Sequence, residues 1–162
     1  MSFAKTNITI RVFIQSDLPF VRSLSPILAE QAKLDWHIEG DIQVFQDDYI
    51  DEMMLPTHLK NITLIAENDA KQLGFIHARE RCDEISGETC ATVPLFAVAK
   101  NMQGSGVGRL LMKAVEDWAT GNNFRLLHLE VFAANVQARN FYEQAGFYED
   151  TLHMIKPLKD IK

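Results

Sequence analysis

Between a strand-like run and a long amphipathic helix the chain carries Gln103-Gly104-Ser105-Gly106-Val107-Gly108, a junction that constrains the fold more than any other stretch. Val107, Leu110, Leu111, Ala114, Val115 and Trp118 follow the spacing i, i+3, i+4, i+7, i+8 and i+11, so one side of this helix must lie against another layer. Three glycines at its start let successive backbone N–H groups turn toward one point, which makes an anion cradle. A Rossmann fingerprint would need Gly where Arg109 stands, and a P-loop would need Gly-Lys-Ser/Thr where Arg109-Leu110-Leu111 stands, so both nucleotide signatures are excluded. Taken alone, the stretch also reads as a connector that binds nothing.

On the N-terminal side of this junction, Ile8 to Ile14 alternates as a strand, with Ile8, Ile10, Val12 and Ile14 on one side. Ser16 or Asp17 then caps a helix with Pro19 in its first turn, and Ser25-Pro26 restarts or kinks it before it runs on to about Trp36. Asp41 to Met54 reads as a second amphipathic helix, its apolar stripe Ile42, Phe45, Tyr49 and Met53, with Asp41, Asp47, Asp48, Asp51 and Glu52 opposite. Pro56 ends it. The period then changes to two: Ile62, Leu64 and Ala66, a turn at Asn68-Asp69, and Leu73, Phe75, His77 and Arg79 make a hairpin. Thr89 to Ala99 is another strand. Beyond the junction, Gly121 is the expected helix stop and Phe124 to Phe132 reads as a strand. Asn135 to Ala145 forms a helix closed by Gly146, and Thr151 to Ile155 is expected as a last short strand. With no linker or internal repeat, residues 1–162 are expected to form one α+β domain.

The chain has 162 residues, with 16 Lys and Arg against 22 Asp and Glu, a formal charge of -6. With no Lys/Arg block and a net negative charge, a phosphate-backbone partner is not expected, because nucleic-acid affinity is supplied mainly by clustered cations. No apolar stretch approaches the roughly 20 residues of a membrane helix, and the N-terminus lacks a secretory layout, so a cytoplasmic location is expected without a membrane partner. Cys82 and Cys90 face each other across a hairpin or stay as free thiols, the second being the reading for a reducing compartment. The five histidines never fall within a few residues of one another, so metal-ligand spacing is absent and no metal is expected. No Gly-x-Ser-x-Gly elbow occurs either.

One strand and one helix after the glycine turn comes Asn135-Val136-Gln137-Ala138-Arg139-Asn140-Phe141-Tyr142-Glu143-Gln144-Ala145-Gly146-Phe147. The Gln-x-x-Gly-x-Gly turn followed by Asn-x-x-Ala-x-x-Phe-Tyr-x-x-x-Gly-Phe resembles the GNAT superfamily of N-acetyltransferases, over about Val98 to Phe147. The resemblance implies a mixed, mostly antiparallel, splayed sheet flanked by helices, and acetyl-coenzyme A as co-substrate. By the same resemblance the pyrophosphate would rest on the backbone of Gln103, Gly104, Ser105, Gly106, Val107, Gly108 and Arg109, backed by positive helix-dipole charge. Pantetheine would pair with Phe96, Ala97 and Val98 as an added strand. Pro94 supports a bend there independently, since proline cannot donate to a ladder. Where the family often has proline two residues after the valine, this chain has Lys100, which either reaches a phosphate or stays solvated. Asn135 reads both as an N-cap and as a contact to the coenzyme arm.

For the chemistry, the resemblance assigns Tyr142 to protonating the departing sulfur, against a core aromatic beside Phe141. Glu130 resembles the base of the ribosomal-protein N-acetyltransferase branch, acting directly or through water, with Glu67, His77 and Glu88 as rivals. The Val98 N–H would meet the oxyanion. The acceptor would be a primary amine of a small molecule or peptide, framed by the first two helices. Seven acids and no Lys or Arg between Leu34 and Leu59 suit a cationic acceptor, or else make a solvated helix face. A non-catalytic domain that senses acetyl-coenzyme A is the alternative, and a homodimer is left open.

Overall fold

The computed structural model describes residues 7–32, 35–38 and 40–159. Five strands form one sheet in chain order: β1 (Thr9–Val12), β2 (Asn61–Asn68), β3 (Lys71–Cys82), β4 (Thr89–Val98) and β5 (Leu127–Leu129). The first four are antiparallel, and β5 lies parallel to β4. Helices α1 (Leu18–Ser23), α2 (Ser25–Glu30) and α3 (Asp41–Met53) cover one face, while α4 (Val107–Gly121) covers the other and α5 (Val136–Gln144) follows β5. Alternation on the central strands supplies both cores. Ile65 and Phe75 point to α1–α3 with Val21, Leu24 and Ile50, whereas Leu64 and Ile76 point to α4 with Val107, Leu111 and Val115. All of these are at most 5% exposed, each burial worth about 1.5–3 kcal/mol for a large aliphatic or aromatic side chain.

The break in this alternation positions everything that follows. His77 pairs with Leu95 and Arg79 with Thr92, so Val93 and Pro94 together oppose Ala78, a β-bulge where the proline needs no ladder partner. Val93 faces α4, yet Leu95 and Ala97 face α1–α3, because the extra residue resets the side-chain period. β5 follows β4 only as far as the Val93–Leu129 pair. From Pro94 onward the two strands part.

Several local expectations are corrected. The helix expected to run to Trp36 is two six-residue helices that meet at Leu24, each with proline in its first turn, and the second ends at Glu30. Asp17 stands at the N-cap position of α1 but makes no side-chain hydrogen bond to that helix; its carboxylate instead accepts from the Ile14 N–H (2.8 Å) at the start of the preceding turn. It is buried, and its carboxylate takes Arg11 in two hydrogen bonds (2.7 and 2.8 Å) and Gln72 (2.6 Å), with the Arg11 hydrogen bond first among the causes that hold its pKa down at about 2. In α3 the buried residues are Gln46 and Ile50; Tyr49 and Met53 of the expected stripe pack beside them against the core, while Phe45 is 48% exposed. α4 does end at the expected Gly121, with Asn122 as its C-cap and Asn123, rather than the glycine, at positive φ (61). Strand β1 is shorter than Ile8 to Ile14: it ends at Val12, since Ile14 already opens the turn at Gln15–Asp17, and both Val12 and Ile14 are exposed. β5 keeps three residues of the expected nine, since its ladder ends where β4 bends away. Thr151 to Ile155 forms no strand: it finds no partner in the sheet and lies exposed. Cys82 pairs with Thr89 and Arg81 with Cys90, so the two cysteines sit on opposite faces, and both are free.

Candidate active site

Backbone, rather than side chains, makes the central surface. The Ala99 N–H donates to the Leu73 carbonyl at 2.9 Å, which makes Leu73–Ala99, Phe75–Ala97 and His77–Leu95 the hydrogen-bonded pairs of the β3–β4 ladder. Phe96 and Val98 therefore turn their N–H and C=O groups the other way, into the gap that β5 has left. Ala97, expected to share this role, faces β3 with its backbone. The Val98 carbonyl accepts a long hydrogen bond from Gln103 Nε2 (3.4 Å), and Gln103 Oε1 accepts from Gln137 Nε2 on α5 (3.4 Å). The end of β4, the glycine turn and the first turn of α5 are thus linked by one side chain.

At the turn, Gly104 and Gly106 adopt φ +79 and +91, in the left-handed region that glycine occupies without strain. Gly108 is needed for a different reason, since a Cβ there would come 3.2 Å from the Phe96 ring and 3.4 Å from Phe141. No side chain caps α4 and no acid stands in its first turn; Ser105 turns its hydroxyl back to the Met102 carbonyl. The N–H groups of Val107, Gly108 and Arg109 have no intrahelical acceptor, so they remain available to an anion. Lys100, expected at a phosphate or in solvent, is ion-paired with Glu30 of α2 at 2.7 Å.

Asn135 is the N-cap of α5: its Oδ1 accepts from the Ala138 N–H at 3.1 Å. The helix carries Phe141 and Tyr142 to the gap, where both rings pack with Phe96, at centroid distances of 5.6 and 6.4 Å. Phe147 closes on Tyr142 at 5.8 Å. Burial pushes the Tyr142 phenol up to about 12, so it keeps its proton throughout the neutral range. Glu130 is exposed and stands one residue beyond the last β4–β5 pair, at the apex of the gap.

The rival bases are occupied. Glu67 accepts from Arg11 Nε at 2.8 Å, and Glu88 is held below the usual carboxylate range chiefly by the Arg125 hydrogen bond. His77 is buried beneath α3, its Nδ1 2.8 Å from Thr63 Oγ1, and desolvation first, then the Arg79 charge, lowers its pKa to about 4. The lowered value has a testable consequence. Because the unfolded chain binds this proton near pH 6.5 and the folded one only near pH 4, stability should fall as pH drops through that window, by roughly 3 kcal/mol at most. Comparing urea midpoints at pH 7 and pH 4.5 in wild type and His77→Gln should show a smaller loss in the variant. An equal loss would assign the acid sensitivity to other groups.

Two of the five acids of α3 are ion-paired among the described residues, and Asp47 is hydrogen-bonded to a neutral hydroxyl. Asp47 accepts from Ser25 Oγ (2.6 Å), Asp51 pairs with Arg22 (2.6 Å) and Glu52 with Arg79 (2.8 Å). The field expected from this helix is correspondingly reduced. Sequence reasoning passed over His128, which pairs in register with Thr92; its Nε2 is buried without a hydrogen bond, and Asp83 Oδ2 is 3.4 Å away but outside hydrogen-bond geometry. It also passed over Gly74, directly opposite Val98. Neither carries a motif that a single sequence displays. A depression of about 600 Å³ lies on the α1 side, lined by Phe20, Ser23, Lys71, Ala99 and Asn101 among others. Among the described residues no cluster of three or more His, Cys, Asp or Glu side chains is placed to hold a metal, and no helix is long and apolar enough to cross a membrane.

Residues 22–147 match the sequence profile of the Acetyltransferase (GNAT) family. The chain belongs to this family of N-acetyltransferases. It is similar to an uncharacterized N-acetyltransferase of Bacillus subtilis, 30% identical over 103 residues that cover 62% of this chain and 69% of that one. Over 91 residues it is 32% identical to aminoglycoside N(6')-acetyltransferase type 1 of Stenotrophomonas maltophilia, covering 54% of this chain and 60% of that one. A solved aminoglycoside N-acetyltransferase in complex with coenzyme A has the same fold, with TM-score 0.70, 22% identity and coverage of 98% and 99% of the two chains.

Proposed function

We propose that this GNAT protein transfers the acetyl group of acetyl-coenzyme A to a primary amine of a small molecule or peptide by direct attack. The observation that carries the reading is the free edge of β4: Phe96 turns its N–H and C=O, and Val98 its N–H, along a gap that leads straight into the open amides of the glycine turn. Pantetheine would lie along this edge as a strand does, with the pyrophosphate on the amides of Gly104 to Arg109. The amide nitrogen of Asn135 makes no protein hydrogen bond among the described residues and is free for the coenzyme arm.

In this reading the amine nitrogen attacks the thioester carbon, the new oxyanion accepts from the Val98 N–H, and the C–S bond breaks. Tyr142 gives its proton to the departing sulfur, and Glu130 takes one from the amine directly or through water. Two observations support a small-molecule acceptor with several amino groups: a relative and a structural neighbour are both named for aminoglycosides. Asp41, Asp47 and Asp48, the acids of α3 without an ion-pair partner among the described residues, are what remains of the charge argument for a cationic one. The reaction is placed in the cytoplasm, where Cys82 and Cys90 would stay free.

Thiol release from acetyl-coenzyme A, measured with aminoglycosides, polyamines, peptides and neutral amines in turn, tests this. Release is expected only with an amine present, and fastest with a small polyamine-like acceptor. Tight binding of acetyl-coenzyme A without release for any amine would instead make the protein a sensor.

A further inference from the structure

Gly74 sits in the middle of β3 with an ordinary backbone conformation, so no turn or positive φ explains it. What it provides is proximity. A Cβ built on it would lie 2.8 Å from the Ala97 carbonyl oxygen, 3.2 Å from Val98 Cα and 3.3 Å from Val98 Cγ2. The first of these is closer than a real Cβ comes to a neighbouring atom, and the two nearest atoms met, the Ala97 oxygen and Val98 Cα, are main chain on a paired strand. They cannot rotate aside.

The clash falls on the peptide unit of the proposed reaction. Ala97 C=O and Val98 N–H belong to one planar group and point in opposite directions, the carbonyl toward β3 and the N–H into the gap. Any push on the carbonyl oxygen therefore moves or tilts the N–H. On the far side β5 has already left at Leu129, so no ladder resists the displacement. The contacts of Leu73 with Ala99 and of Gln103 with Val98 hold the same segment from its other end.

We propose that Gly74 is a positioning residue for acetyl transfer, its missing Cβ allowing the Ala97–Val98 peptide to lie where the Val98 N–H meets the oxyanion. This rests on the function proposed above. Losing one oxyanion donor costs about 100- to 1,000-fold in kcat, and a misplacement of about 1 Å costs about 100-fold, so a shift of several tenths of an ångström should cost about 10- to 100-fold.

The test is Gly74→Ala, followed by steady-state kinetics, calorimetric binding of coenzyme A and the 1H–15N resonance of the Val98 amide. The expected result is a kcat lowered by about 10- to 100-fold, with coenzyme A affinity and the amine KM within about threefold, because the glycine turn is untouched. The Val98 amide should shift in the free variant and respond less to acetyl-coenzyme A. A folded variant with kcat within about twofold of wild type overturns the proposal, as does a loss of kcat matched by an equal loss of coenzyme A affinity. Should the variant fail to fold, hydrogen exchange in the wild type decides: a Val98 amide protected before ligand is added is already bonded, and the proposal falls. Wild-type protein that turns over no amine would remove the proposed function instead, and the Val98 response in Gly74→Ala would still report what Gly74 positions.

Discussion

Gly106→Val is expected to weaken acetyl-coenzyme A binding by about 100-fold while leaving the protein folded, as read by titration calorimetry and circular dichroism. The substitution meets no neighbour, since nothing lies within 4 Å of a Cβ at this position. Its effect comes through the backbone. Gly106 is the N-cap of α4 at φ +91, a conformation that costs a β-branched residue at least about 1–2 kcal/mol. Relaxing that strain turns the first amides of the helix away from their common point, and the new side chain fills the place of the anion. Each 1.4 kcal/mol is tenfold in affinity, so the two effects together reach the stated loss. Ser105→Ala is the control: its hydroxyl bonds the Met102 carbonyl, so affinity should change little. Equal affinity in Gly106→Val and wild type would separate the glycine turn from the coenzyme.

Why some of this was legible in the sequence and some was not follows from the range of the interactions. A glycine turn, a proline bulge and an amphipathic helix are local devices, and Gly104, Gly106, Pro94 and the Val107–Trp118 stripe lie where spacing put them. The pairing partners of α3 are not local. Asp51 finds Arg22 and Glu52 finds Arg79, residues about 30 positions away, so an acidic window that reads as an open field is partly neutralised in space. Gly74 was silent for the same reason: its requirement comes from Ala97 and Val98 on another strand. The helix ends at Gly121 as expected, but the positive φ that follows belongs to Asn123, two positions on. Thr151 to Ile155 has strand-like alternation, but pattern alone makes a strand only where a partner edge is free to pair.

Tyr142→Phe is expected to lower turnover by about 10 to 1,000 times with little change in coenzyme affinity, since it deletes one hydroxyl and keeps the ring's tilted and edge-on packing with Phe96, Phe141 and Phe147. A phenol pushed up to about 12 appears too weak an acid for a thiolate, until the shared environment is considered. The burial that disfavours phenolate disfavours the departing thiolate as well, and raises its proton affinity in the same direction. The two pKa values stay close, which is the condition for efficient transfer. The sign of the pH dependence follows. Tyr142 remains protonated until well above neutrality, so a rate that climbs as the acceptor amine loses its proton should show no descending limb from this residue below about pH 11. In Tyr142→Phe the profile should drop in height and keep its shape. A variant with unchanged turnover would return Tyr142 to the aromatic core, and a wild-type descending limb near pH 9 to 10 that vanishes in the variant would mean that the phenol is wetter than its packing against three aromatic rings implies.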